Sequence, residues 1–131
     1  MAPNSFTWPL MNDNVTASDK QALIEFLSEP GVRLTNGLKV KEFEKQWSEW
    51  LGVEYSVMVG SGAAANYITT SIVREFKGSG GEIIVPTIGW ASDISSVINT
   101  GFIPVFVDVA VETMAISAAN IKRAINKDTK A

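Results

Sequence analysis

The chain has no cysteine and no histidine. The first absence excludes a disulfide framework and any thiolate site. The second leaves a metal site to carboxylates alone, and since these do not cluster along the sequence, no metal is expected. Long apolar runs are missing too. None approaches the roughly 20 residues that cross a bilayer, so no membrane partner is expected. There is no excess of positive charge, the formal net charge being −3, which argues against nucleic acid or an anionic lipid surface as a partner. The N-terminus shows no basic segment followed by an apolar core, so no signal peptide is visible and a cytoplasmic location is the default expectation. Internal repeats and low-complexity tracts are lacking as well.

What is present suits a globular chain with one modest core: 131 residues, 46% of them hydrophobic and 19% charged. Residues 1–15, with two prolines, several asparagines and the isolated aromatics Phe6 and Trp8, read as an extended arm docked through Trp8-Pro9-Leu10. Residues 16–131 read as the folded part. Ser18 and Gln21 have capping-box spacing ahead of a helix bearing Ala22, Leu23, Phe26 and Leu27. Pro30-Gly31 ends it, and Asn36-Gly37 marks a turn. A second helix over Lys39–Leu51 places Val40, Phe43, Trp47, Trp50 and Leu51 on one face, and its tryptophans are expected to pack in the core. Its charged face, from Lys39 to Glu49, is a solvated one.

The chain is organised around residues 57–66, Val-Met-Val-Gly-Ser-Gly-Ala-Ala-Ala-Asn. An apolar run with strand character, Tyr55–Val59, meets a turn of small residues, and a helix follows with Ile68, Ile72, Val73 and Phe76 on one side. Strand, glycine turn, helix leaves unpaired N–H groups and a positive dipole end open to an anion. A plain connection without a ligand has the same appearance. Gly60-Ser61-Gly62-Ala63-Ala64-Ala65 also satisfies the dinucleotide fingerprint G-x-G-x-x-G/A. That fingerprint wants an acid at the end of the second strand, whereas Glu82-Ile83-Ile84-Val85-Pro86-Thr87 carries its acid at the start. A phosphate cup fits better than a dinucleotide crevice. Beyond the flexible connector 77–81, Ile83–Val85 and Ile103–Val107 read as buried parallel strands. A crossover helix over 89–100 turns Ile94, Val97 and Ile98 inward. Ser117 opens a helix with Ile121, Ala124 and Ile125, and a further strand is expected to begin at Asp128-Thr129-Lys130-Ala131. The alternation gives an α/β fold, a mostly parallel sheet with helices on both faces.

Four segments in register carry a resemblance: Gly-Ser-Gly-x-x-Ala-Asn from Gly60, Gly-Glu-Ile-Ile-Val-Pro-Thr-x-x-Trp from Gly81, Pro-Val-Phe-Val-Asp-Val from Pro104, and the closing Asp-Thr-Lys-Ala. Together with Leu34-Thr35-Asn36-Gly37-x-x-Val40-x-x-Phe43-Glu44, they resemble the start of a DegT/StrS-type sugar aminotransferase. These are pyridoxal 5′-phosphate (PLP) enzymes of the type I, aspartate aminotransferase, fold. The resemblance implies the N-terminal portion of a three-layer α/β/α large domain, with Gly62, Ala63 and Ala64 offering backbone N–H groups to the cofactor phosphate. It places Trp90 where the family stacks an aromatic ring on the pyridine, and Thr35 and Asn36 within reach of a substrate sugar. Where the family has Ser or Thr, this chain has Ala63 and Ala64, so the backbone must carry that part of the cup. Asn66 is expected near the first helical turn, and Asp108 as a strand-end residue fixing the next loop. Ser61-Gly62-x-x-Ala65-Asn66 with Trp90 leans towards the sugar 3-dehydrase branch.

The resemblance also implies that the lysine carrying the cofactor, or the histidine replacing it among dehydrases, lies beyond position 131, as does the aspartate under the pyridine nitrogen. No catalytic residue is therefore expected in this chain. The chain reads as the N-terminal third of an enzyme that moves an amino group from glutamate to a nucleotide-linked keto sugar, inactive alone. One alternative is the same part of a PLP-dependent 3-dehydrase. Another, of a different class, is a small Rossmann-like nucleotide-binding module complete in itself. Tyr55–Val59 is expected to pair with a strand of its own chain or of a second molecule, and a homodimer is expected.

Overall fold

Thr16 opens the first helix of the computed structural model, which describes residues 13–131. All but the last three residues of the expected arm lie outside the described residues. The chain groups into two compact units, Met1–Ser56 and Val57–Ala131.

The first unit holds α1 (Ala17–Ser28) and α2 (Leu38–Leu51). The capping box of α1 sits two residues earlier than the sequence pattern suggests. The Thr16 hydroxyl accepts from the Asp19 N–H at 3.2 Å, and the Asp19 carboxylate accepts from the Thr16 N–H at 2.8 Å. Thr16 and Asp19 have the same spacing as Ser18 and Gln21, and the shorter acid reaches back equally well. Glu29 is extended, as a residue before proline prefers to be. α2 starts at Gly37 and ends on Gly52, whose left-handed φ of 75° directs its N–H to the Ser48 carbonyl at 2.9 Å. Lys39–Glu42 and Lys45–Glu49 pair along the solvated face. The tryptophans do not become core. Phe43 stacks on Trp47 at 5.8 Å and Trp47 tilts against Trp50 at 5.0 Å, but all three are exposed. The only buried side chain among the described residues of this unit is Ser48, which bonds the Ser56 hydroxyl at 2.8 Å. Two helices cannot surround a third layer of side chains, so the aromatic ladder lies on a surface.

The second unit runs α3 (Gly62–Lys77), β1 (Glu82–Pro86), α4 (Ala91–Asn99), β2 (Ile103–Val107), β3 (Val109–Ala110), β4 (Ala115–Ile116) and α5 (Ala118–Ala124). β1 and β2 pair in parallel from Glu82↔Ile103 to Pro86↔Val107, with α4 as the crossover. β3 and β4 form a short antiparallel pair. Strand alternation sends Ile83 and Val85 to one face, where they meet Val97, Phe102 and, from α3, Val73. Ile84 and Pro86 face the other way, into an apolar groove shared with Ile116, Ile121 and Ile125. The expected three layers are therefore present: α3 and α4, then the sheet, then α5. Enclosure is partial, since Ile98, expected inward, and Ile72 and Phe76 of the apolar side of α3 are exposed. The nine-residue helix over two strands fully covers only Ser96 and Val97, the latter its one buried apolar side chain.

Residues 128–131 line the free edge of β1, as the sequence suggests. Glu82 N–H donates to the Asp128 carbonyl at 2.8 Å, Lys130 N–H to the Glu82 carbonyl at 2.7 Å, and Ile84 N–H to the Ala131 carbonyl at 2.9 Å. Gly81 makes the approach possible, because a Cβ there would stand 2.7 Å from the Asp128 carbonyl oxygen. Tyr55–Val59 does not pair with a strand of its own chain, the first of the two expected arrangements. It belongs to neither sheet, and Tyr55 and Val57 are exposed. A segment becomes a strand only beside a ladder, and the ladder of β1 is filled by β2 and residues 128–131. No helix among the described residues is long and apolar enough to cross a membrane.

Candidate functional site at the amino end of helix α3

Ser61 caps α3 from an extended backbone, its hydroxyl accepting from the Ala64 N–H at 3.1 Å. The Ser61 carbonyl takes the Ala65 N–H at 3.0 Å. Among the described residues, no protein acceptor meets the N–H groups of Gly62 and Ala63. Of the three amides expected to face a phosphate, two are open and the third is held by Ser61. The same hydroxyl keeps its own proton free to donate, so accepting from Ala64 does not remove Ser61 from the cup. The first turn of α3 contains no acid, and its basic residues, Arg74 and Lys77, lie in the last turn. No residue of α3 itself neutralises the positive dipole end. Gly60 and Gly62 have no φ in the left-handed region, and a Cβ on either would meet no protein atom within 4 Å. Neither backbone strain nor packing demands glycine at these places. The two glycines leave the amino end of α3 open to close approach, and a phosphate with its three oxygens suits this set of donors.

Trp90 is the N-cap residue of α4 and stands 75% exposed, its ring uncommitted to any core. Its backbone is firmly held. Trp90 N–H donates to Asp93 Oδ2 at 3.1 Å, and the Asp93 N–H returns a bond to the Trp90 carbonyl at 3.0 Å. Asp93 Oδ1 accepts from Asn66 Nδ2 at 2.6 Å. Asn66 lies one turn into α3, so its amide joins the cup helix to the Trp90 turn instead of capping its own helix. Asp93 is the residue of this arrangement that sequence reasoning missed. Its signal was there: an acid three residues after Trp90 at the start of a helix is the acidic half of a capping box. Asp108 behaves as expected of a strand-end residue, its carboxylate accepting from the Thr87 hydroxyl at 3.3 Å and the Val109 N–H at 2.9 Å. Thr35 and Asn36 lie in the first unit, exposed, with Asn36 in the left-handed region at φ 45°.

Residues 14–131 match the DegT/DnrJ/EryC1/StrS aminotransferase family. Over 97 residues the chain is 31% identical to GDP-perosamine synthase of Vibrio cholerae, covering 74% of this chain and 26% of that protein. It is 36% identical over 102 residues to GDP-4-keto-6-deoxy-D-mannose 3-dehydratase of Yersinia pseudotuberculosis, with the same coverages. Among solved structures, the E. coli GDP-4-keto-6-deoxy-D-mannose-3-dehydratase with bound hydrated PLP superposes with a TM-score of 0.79 at 28% identity, over 94% of this chain and 32% of that one. The chain spans between a quarter and a third of the length of these relatives.

Proposed function

This chain belongs to the DegT/DnrJ/EryC1/StrS aminotransferase family, and on that premise we propose that it supplies the phosphate cup and one ring face of a PLP-dependent enzyme acting on nucleotide-linked keto sugars. The observation that carries this reading is the amino end of α3, with two open amides, a hydroxyl, no acid of its own in the first turn, and glycines that leave room for close approach. Gly62 and Ala63 donate to the phosphate through their backbone, Ser61 through its hydroxyl, and Ala64 when Ser61 releases its N–H. Trp90 lies against the pyridine ring, holding a flat group while leaving its reactive edge free. Thr35 and Asn36 are sugar contacts in this reading, on the resemblance alone. When bound, PLP supplies the electron sink that makes chemistry beside a sugar carbonyl accessible.

Amino transfer from glutamate to the keto sugar is the first form of the proposal. Loss of a sugar hydroxyl, as in a 3-dehydrase, is the second, and the Trp90 and Asn66 pattern together with the dehydratase superposition favours it. In either form the chain by itself is inactive, the protein is cytoplasmic, and the working enzyme is a homodimer. A second copy is also what would cover the exposed Tyr55 and Val57 side chains.

Titration with pyridoxine 5′-phosphate tests the cup, because this probe carries the ring and phosphate without an aldehyde that would react with surface lysines. Two charge-assisted bonds at about 1.5–3 kcal/mol each and a stack near 1 kcal/mol, set against at least about 4 kcal/mol for association, leave at most about 3 kcal/mol, an affinity of several millimolar or weaker. Backbone resonances of Gly62 and Ala63 should shift with saturation in that range, and NAD should leave them unmoved. Shifts produced by NAD in place of the pyridoxine probe would favour the Rossmann-like module. Silence to both would end the anion-site reading.

A further inference from the structure

We infer that Asp93 is a positioning residue, which fixes the Trp90 ring relative to the amino end of α3 so that one phosphate and one flat ring are gripped together. The inference rests on the reading of Trp90 as the ring face. Both oxygens of the Asp93 carboxylate are committed, Oδ2 to the Trp90 N–H at 3.1 Å and Oδ1 to Asn66 Nδ2 at 2.6 Å. Asp93 is half-buried, and bonds to a carboxylate in such a place are short and directional. One turn further along, the Thr70 hydroxyl has its single proton within reach of the Asn66 and Tyr67 carbonyls of its own helix, at 3.0 and 3.1 Å, and also comes within 3.3 Å of the Ser96 carbonyl, while the buried Ser96 hydroxyl donates to the Asp93 carbonyl at 2.9 Å. Gly89 completes the clamp, since a Cβ there would stand 3.0 Å from Asp93 Oδ2.

If Asp93 only capped α4, its bond to Trp90 would suffice and nothing would be needed from α3. The Asn66 bond is the surplus, and it joins the two elements that hold the two ends of the ligand. A donor set aimed at a phosphate gains from a ring partner only when their separation is fixed to within about half an ångström. The Asn66 and Asp93 side chains, which touch neither end of the ligand, fix the backbone that carries the Trp90 ring.

Asn66→Ala is the discriminating variant, because it removes the tie to α3 and leaves the α4 cap intact. In the wild-type chain, pyridoxine 5′-phosphate should shift the Gly62 and Ala63 amides and the Trp90 indole N–H together. In Asn66→Ala and Asp93→Ala the amides should still respond, the indole response should fall away, and affinity should weaken by about fivefold, the value of the lost stack. Trp90 N–H exchange without ligand should accelerate in Asp93→Ala but not in Asn66→Ala. The exchanged pair Asn66→Asp with Asp93→Asn restores a donor facing a carboxylate and should recover the indole response. A wild-type indole response in Asn66→Ala, or no recovery in the exchanged pair, overturns the inference while the cup stands. If Trp90→Ala binds the probe as tightly as wild type, the ring-face reading itself fails and takes the inference with it. Should Asp93→Ala lose its fold, seen at the Val97 methyl resonances, the Asn66→Ala and exchanged-pair results decide.

Discussion

α2 and α4 are both amphipathic, with apolar side chains at intervals of three and four, yet α4 buries Val97 to 2% exposure and α2 leaves Trp50 at 75%. The difference lies in their partners. α4 has a parallel pair beneath it and α3 beside it, so its inward side chain meets Ile83, Val85 and Phe102. In the unit of α2 the described residues provide one other helix and no sheet. Periodicity marks the face that a helix can bury. A second layer decides whether the face is buried, and burial carries the stability.

The largest expected effect sets the two units against each other. Phe102→Ala removes a nearly fully buried ring from the core and should cost about 3–5 kcal/mol of unfolding free energy. Trp50→Ala removes a larger ring that touches Trp47 on the surface, and should cost no more than about 1 kcal/mol. Urea unfolding followed by far-ultraviolet circular dichroism measures both. Comparable losses would mean that the α2 face is covered in solution, with a second copy of the chain as the first partner to look for.

A smaller contrast separates two glycines of positive φ. Gly52, at φ 75°, has open space where its Cβ would be, and Gly81, at φ 95°, faces the Asp128 carbonyl and the Lys130 side chain. Alanine at either place meets the left-handed penalty of about 1–2 kcal/mol. Gly81→Ala must in addition push residues 128–131 away from β1, adding about 1–3 kcal/mol. Equal melting temperatures for the two variants would show that the β1 edge is looser than its hydrogen bonds imply.

The same contrast governs what could be read from the sequence. The strands Ile83–Val85 and Ile103–Val107, the crossover helix and the Ser117 helix were legible because β-branched runs and caps are local signals, and the parallel pairing followed from their alternation. Tyr55–Val59 has equally good strand composition and forms no strand, because pairing depends on which edge is free, and composition does not record that. The tryptophans of α2 were misread for the same reason. At the site, Gly62, Ala63, Ala64 and Trp90 stood out by residue type and family pattern. Asp93 did not, because its role comes from a partner 27 positions earlier, across two elements.

The smallest effect concerns the first unit alone, where α1 has a local support and no buried side chain. The Thr16 hydroxyl and backbone N–H, in that order of effect, hold the Asp19 carboxyl below its ordinary pKa. A carboxyl with a depressed folded-state pKa stabilises the fold fully above its unfolded-state value, and loses that contribution as pH falls through the folded-state value. Helix α1 should therefore fray at its amino end on acidification below the ordinary aspartate range, and the loss should be small because Asp19 is fully exposed. Asp19→Asn separates this from the protonation of the other acids, since it should start out slightly frayed and change less with pH. Thr16→Ala should flatten the same profile by removing the hydroxyl that favours the charged form. Amide shifts of residues 16–20, followed from neutral pH downward, give the answer. If wild type and Asp19→Asn trace the same curve, the capping box does not hold α1 in solution, and the two units differ in local order as well as in burial.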